Sequence, residues 1–145
     1  MSGLNQILWL EDEPESIEVI KYCLGSYCSK IIVRQSFASF SDYLEEFEDV
    51  SSNVIIVDIR MIFSREMTFS CFDKTDIKIY NEHDSGFEYF NACIKDRFSN
   101  VTVIFFSSKP KDETLKDAKR YKVESHLVVS KDCTSDLIKF IQEMK

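Results

Sequence analysis

The sequence predicts an α/β protein: a five-stranded parallel sheet with helices on both faces. Five short apolar runs alternate with five segments whose apolar residues recur at helical spacing. One run, Val54 to Val57, is β-branched throughout, the pattern of a central strand buried on both faces. Connections of helix length between such strands imply right-handed crossovers.

The first strand is Gln6 to Leu10, and it runs straight into Glu11-Asp12-Glu13. Pro14 suits the first turn of a helix, with Glu15 favourable at its positive end. Ile17, Ile20, Cys23 and Leu24 form the apolar face of that helix, and Gly25 stops it. Lys30 to Gln35 is the second strand. Ser39 with Asp42 resembles a capping box opening a short helix through Tyr43, Leu44 and Phe47. The third strand ends in Asp58.

From Ile62 to Ser85 the periodicity breaks, and polar residues mix with Phe63, Met67, Phe69, Phe72, Ile77, Ile79 and Tyr80. The segment reads as an extended loop in which Asp76 to Tyr80 forms a short strand. A loop of this length inside a domain is usually functional or mobile. Gly86 opens the third helix, with Phe87, Phe90, Ile94 and Phe98 toward the core. Val101 to Phe106 is the fourth strand. Lys111 to Tyr121 is a mostly polar helix held by Leu115 and Ala118, and Leu127 to Val129 is the fifth strand. Thr134 or Ser135 caps the last helix, whose stripe is Leu137, Ile138, Ile141 and Met144.

A length of 145 residues implies one domain, spanning 1–145. A net charge of −7 without a basic patch argues against direct nucleic-acid binding. No run reaches the length of a membrane span, and the N-terminus lacks a signal-peptide layout. Five cysteines without a C-x-x-C pair disfavour zinc and a disulfide framework, and fit a cytoplasmic protein.

The strand exits carry the chemistry. In a parallel sheet they share one edge, where α/β proteins bind ligands. The first strand delivers Glu11 and Asp12, the third Asp58, the fourth Ser107 and the fifth Lys131. Singly, the acids read as a solvated helix start, Ser107 as a turn residue and Lys131 as a surface lysine. Together they suit one use. Clustered carboxylates repel unless a hard cation holds them, and oxygen ligation suits Mg²⁺. Asp58 would be a nucleophile toward phosphorus, with Lys131 and the Ser107 hydroxyl on the phosphoryl oxygens.

These residues stand in motifs that resemble the receiver domains of two-component response regulators. Ile7-Leu8-Trp9-Leu10-Glu11-Asp12-Glu13-Pro14 is similar to the family's first-strand signature, and Ile55-Ile56-Val57-Asp58-Ile59-Arg60-Met61 to its phosphoacceptor strand. Asp84-Ser85-Gly86-Phe87-Glu88 resembles the entry to helix three, Val103 to Ser108 the switch strand, and Val128-Val129-Ser130-Lys131-Asp132 the lysine strand. The resemblance implies a flavodoxin-like strand order, 2-1-3-4-5. It implies Asp58 as phosphoacceptor, and Mg²⁺ held by Glu11, Asp12, Asp58 and the Arg60 backbone carbonyl. It also implies a sensor histidine kinase or phosphotransfer protein as partner, with an unspecified downstream target. The chain departs from the pattern in three places. Ile62 replaces a usual proline, an extended segment follows it, and Leu127 or Val128 stands where the fifth strand usually carries an aromatic switch. An ungapped reading back from Leu137 puts Ser130 at the lysine position, whereas one residue of slack puts Lys131 there. Arg60 and Lys109, each two residues beyond a site residue, are expected to overhang the site and tune the acyl phosphate's lifetime.

Two other readings compete. One is a degenerate receiver acting as a phosphorylation-independent interaction module. The other, a dedicated hydrolase with a nucleophilic Asp, needs a second Asp two residues on, where Arg60 stands. A self-phosphorylating receiver rather than a turnover enzyme is therefore expected. The aromatics of the 62–85 segment, beside the Asp58 exit, suggest a partner or homodimer contact.

Overall fold

The computed structural model describes residues 4–61, 68–80, 82–124 and 127–144. Its main sheet contains β1 (Leu4–Leu10), β2 (Cys28–Arg34), β3 (Asn53–Asp58), β6 (Thr102–Ser107) and β7 (Val128–Ser130), with order β2-β1-β3-β6-β7. Every pairing in it is parallel. Counting only these five strands, the order is 2-1-3-4-5, as the resemblance implied. The remaining strands, β4 (Thr68–Cys71) and β5 (Lys74–Lys78), form a separate antiparallel hairpin.

Side chains alternate across a strand, so each sheet face has its own core. On one face Leu8, Leu10, Ile55, Val57, Val103 and Phe105 pack against α2 (Phe37–Leu44), α3 (Ser85–Tyr89) and Ala118 of α4 (Lys111–Arg120). On the other, Ile7, Trp9, Val54, Ile56, Ile104 and Phe106 meet α1 (Glu18–Leu24) and α5 (Thr134–Glu143). No described helix is long and apolar enough to cross a membrane.

The structure shifts several boundaries. Pro14–Ile17 is a 3-10 turn leading into α1. The second helix is capped by Ser36, whose hydroxyl accepts from the Ser39 N–H, three residues before the expected start. An Ser36 side chain in extended backbone can take that orphan donor, so Ser39 falls inside the first turn. After α3 the helix widens into a π turn, Phe90–Ile94, closed by Lys95 N–H on the Phe90 carbonyl at 2.9 Å.

Much of the expected loop is folded. The β4–β5 hairpin buries Phe69 and Cys71, and Ile79 follows it into the core. Phe69 stacks on Phe37 and Tyr89, with centroids 5.4 Å apart in both pairs. Phe72 lies under the Arg97 guanidinium at 4.3 Å, and the Lys74 ammonium donates to the Ala92 carbonyl at 2.8 Å. The strand expected at Asp76 to Tyr80 is β5, two residues earlier, with β4 as its partner. Ile62, Phe63 and Met67 lie outside the described residues.

Candidate functional site

Register builds the site. Leu10 pairs with Val57, so Glu11 and Asp58 leave adjacent strands side by side. Asp58 pairs with Phe106, and Ser107 with Ser130, so Ser107 and Lys131 emerge on the same edge. This is where the strand order reverses around β1, the crevice position of open α/β sheets.

The Lys131 ammonium lies between two carboxylates, 3.1 Å from Glu11 Oε1 and 3.3 Å from Asp58 Oδ2. It also sits 5.6 Å from the centre of the Phe106 ring. Both acids are 1% exposed. Glu11 Oε2 accepts the Glu13 N–H at 3.2 Å. Asp58 Oδ1 is buried and accepts no hydrogen bond among the described residues. Carboxylate oxygens of Glu11, Asp12 and Asp58 lie within 4.8 Å of one another. Two buried acids beside one ammonium leave excess negative charge in a poorly solvated place. Burial, then the Glu11 charge, pushes the Asp58 carboxyl up to about 9 against the pull of Lys131. Burial also raises Glu11, with Lys131 opposing. For Lys131, burial favours the neutral amine, but Asp58 and Glu11 outweigh it and hold the ammonium charged.

These donors fit a small hard cation. An unpaired buried oxygen on Asp58, a second buried carboxylate and a half-buried third offer oxygen ligands only. Arg60 follows on the same exit and is exposed.

The lysine register is settled by a backbone contact. Lys131 N–H donates to the Ser107 carbonyl at 2.6 Å, and its side chain reaches the acids. The Ser130 hydroxyl instead accepts from the Asp132 N–H at 3.2 Å.

The Ser107 hydroxyl is engaged elsewhere. It lies 3.0 Å from Thr114 Oγ1 of α4 and accepts the Lys109 N–H at 3.1 Å. Lys109 does not overhang the acids. Its ammonium is 3.0 Å from Asp117 and 3.8 Å from Asp84, because two carboxylates on that side compete for it. Arg120 joins the same network, 3.5 Å from both Asp84 and Asp117. Thr114, Asp84 and Asp117 were not singled out as site neighbours from sequence. For Thr114 and Asp117 the only signal was polar residues on a weakly apolar helix, where Thr114 proves as buried as Ala118; Asp84 stands in the turn before α3.

Helix α3 backs the end of β3 directly. The Gly86 N–H donates to the Ile59 carbonyl at 2.8 Å, and a Cβ on Gly86 would stand 2.4 Å from the Asp58 carbonyl oxygen. Ser85 Oγ donates to the Ile59 carbonyl and accepts from Met61 N–H, pinning the chain just past Asp58.

No protein-family model matches the sequence, and no curated protein matches it by sequence. Solved structures do match. The signal receiver domain of a DNA-binding response regulator (merR) from Colwellia psychrerythraea 34H is 19% identical with a TM-score of 0.66, covering 96% of each chain. Chemotaxis protein CheY4 of Vibrio cholerae is 14% identical with a TM-score of 0.64, covering 99% of this chain and 100% of that one. The Thermotoga maritima response regulator DrrB is 16% identical with a TM-score of 0.61, covering 96% of this chain and 51% of its own. The chain has the fold of response-regulator receiver domains.

Proposed function

We propose that this chain is a phosphoacceptor receiver of a two-component or phosphorelay system. It takes a phosphoryl group from the phosphohistidine of a sensor histidine kinase or phosphotransfer protein onto Asp58. The observation that carries this reading is the Lys131 ammonium set between Glu11 and Asp58, with one Asp58 oxygen left unpaired.

The ionised Asp58 carboxylate attacks phosphorus, the P–N bond to histidine breaks, and an acyl phosphate forms. Lys131, already 3.3 Å from Asp58, stabilises negative charge on the phosphoryl oxygens as they arrive. Ser107 reaches the phosphoryl group by exchanging its Thr114 contact for a phosphoryl oxygen. Glu11 and Asp12, with Asp58, would hold Mg²⁺, which when bound neutralises the acids and the incoming phosphoryl charge. The reaction is the protein's own modification, so we infer a regulator rather than a turnover enzyme, acting in the cytoplasm.

Incubating the chain with acetyl phosphate and Mg²⁺ tests this. Mass spectrometry should find one added phosphoryl group, lost in Asp58→Asn. No adduct under any Mg²⁺ concentration would overturn it. The alternative, a receiver fold that binds a partner without phosphate, draws on the burial of Asp58 beside Glu11, which pushes its carboxyl up and favours the protonated form over the nucleophilic carboxylate. Trp9 separates the two readings. It is fully buried, 5.8 Å from Phe106, whose ring lies beneath Lys131. Its fluorescence should change on Mg²⁺ titration of a working receiver and stay flat in the alternative.

A further inference from the structure

A serine hydroxyl has one proton to give and two lone pairs to receive with. Ser107 uses all it has on the side away from the acids. Its oxygen accepts the Lys109 N–H at 3.1 Å, and Thr114 Oγ1, 3.0 Å away, is the one partner left for its proton among the described residues. Thr114 Oγ1 donates in turn to the Pro110 carbonyl at 3.2 Å, which can only accept. The bonds therefore run one way, from the Lys109 N–H to Ser107, from Ser107 to Thr114 and from Thr114 to Pro110, with both hydroxyl protons used. Ser107 and Thr114 are 2% and 1% exposed, so solvent offers neither proton another acceptor.

We propose that Thr114 is a positioning residue for phosphoryl transfer to Asp58: its hydroxyl oxygen holds the Ser107 proton away from the site and slows the reaction until a phosphoryl oxygen takes over that bond. This role rests on Asp58 being the phosphoacceptor.

The hold is built into α4. Thr114 lies in the first turn of that helix, and its bond to the carbonyl four residues back fixes a β-branched side chain that has few rotamers to choose from. Its oxygen is thereby kept within reach of Ser107. The segment between them is tied down as well, because the Lys109 ammonium reaches Asp117, one turn beyond Thr114 on the same helix, at 3.0 Å. Sequence alone shows none of this, since a threonine in a polar helix reads as a surface residue.

With a single proton, Ser107 cannot keep its bond to Thr114 and also donate to a phosphoryl oxygen. When the Asp58 carboxylate attacks acetyl phosphate, the P–O bond to acetate breaks and acetate leaves with the electron pair. Ser107 keeps its proton throughout and changes only the oxygen that accepts it. Thr114 Oγ1 loses one donor but keeps its own bond to Pro110, so the exchange costs about one neutral hydrogen bond.

The test follows the rate of Asp58 phosphorylation by acetyl phosphate and Mg²⁺ on the full chain, read by mass spectrometry. Thr114→Val keeps the shape and removes the acceptor, and Thr114→Ala removes it with less bulk. Both should react about two- to tenfold faster, the span of one neutral hydrogen bond. Thr114→Ser restores the oxygen and should match the wild type. In a Ser107→Ala background Thr114→Val should change nothing, whereas a packing effect on α4 would persist there. Unchanged or slower reaction in both oxygen-free variants, or the same acceleration without Ser107, would overturn the role of Thr114. A second measurement needs neither donor nor metal. In urea unfolding, Ser107→Ala and Thr114→Val combined should cost less than the sum of the two alone, and strict additivity would show that the pair does not interact and overturn the proposal. A wild type that takes no phosphoryl group refutes the phosphoacceptor reading, and Thr114's role with it, a result distinct from a reactive wild type with insensitive Thr114 variants.

Discussion

Replacing Asp58 by Asn should stabilise the protein while abolishing its reactivity. The carboxyl is ionised in the unfolded chain above about pH 4 but pushed up to about 9 in the folded one. Folding at neutral pH must therefore bind a proton. Because the folded pKa is raised, stability is greatest below the unfolded value and falls as pH climbs toward 9. At pH 7, roughly three units above the unfolded value, this costs about 4 kcal/mol at about 1.4 kcal/mol per unit. Asn carries no charge in either state and escapes that cost, but Lys131 loses one of its two carboxylate partners. Recovering about half leaves a gain of about 2 kcal/mol, or about 4–8 °C in melting temperature for a domain of this size. Differential scanning calorimetry between pH 4 and pH 8 reads it directly. The Asn advantage should vanish near pH 4, widen with rising pH, and shrink when millimolar Mg²⁺ stabilises the wild type alone. An advantage that grows as pH falls, or no advantage at any pH, would refute the charge-frustration account.

Three further outcomes follow from the same geometry. Lys131→Met removes the ammonium between buried Glu11 and Asp58 and leaves Glu11 without its charge partner, a loss of about 3–5 kcal/mol in urea unfolding at neutral pH, partly recovered by Mg²⁺. Gly86→Ala forces a methyl to 2.4 Å from the Asp58 carbonyl and 2.7 Å from Ile59 Cα, and no rotamer relieves backbone on both counts. It should cost about 3 kcal/mol and lower the rate of phosphorylation from acetyl phosphate, since the Asp58 strand end must shift. Asp49 works in the opposite sense to Asp58: slight burial would raise it, but the N–H groups of Ser99, Asn100 and Val101 win and hold it below the ordinary carboxylate range. Its contribution is present above about pH 4 and lost as pH falls through its lowered value, so Asp49→Ala should flatten the acid limb of a stability–pH curve.

The strands were legible because a parallel strand covered on both faces leaves no room for polar alternation, as Val54 to Val57 and Val103 to Phe106 show. The convergence of acids was legible for the same reason, since parallel strands share an exit edge. The hairpin was not. Its turn uses Phe72 at φ 56° and β5 carries Asp76 at φ 53°, where a glycine or asparagine would have announced the bend. Its polar outer residues, Thr68, Ser70 and Lys74, also masked the buried Phe69 and Cys71 between them. The π turn left no trace, because one extra residue in a helix changes hydrogen bonding and not composition. Lys109 was misplaced for a third reason. Its partners Asp84 and Asp117 are set by how α3 and α4 pack, which no local pattern encodes.

The same packing decides how a change at Asp58 reaches the rest of the molecule. No aromatic stands on β7 to swing, and Val128 and Val129 are buried β-branched residues with little rotamer freedom. Two of the connections that leave the site differ in stiffness. One is Gly86 against the Asp58 backbone, too tight to slide without moving α3. The other is the buried Ser107–Thr114 hydroxyl pair, a single hydrogen bond of about 1 kcal/mol. A ligand that claims the Ser107 hydroxyl breaks the weaker connection first. That leaves α4 held by the core contacts of Ala118 and Leu115 and by the partly solvated Arg120–Asp84 and Lys109–Asp117 contacts, which are individually weak. Helix α4 is thus the element whose hold on the sheet depends most on what occupies the site, whereas α3 moves only with the strand itself.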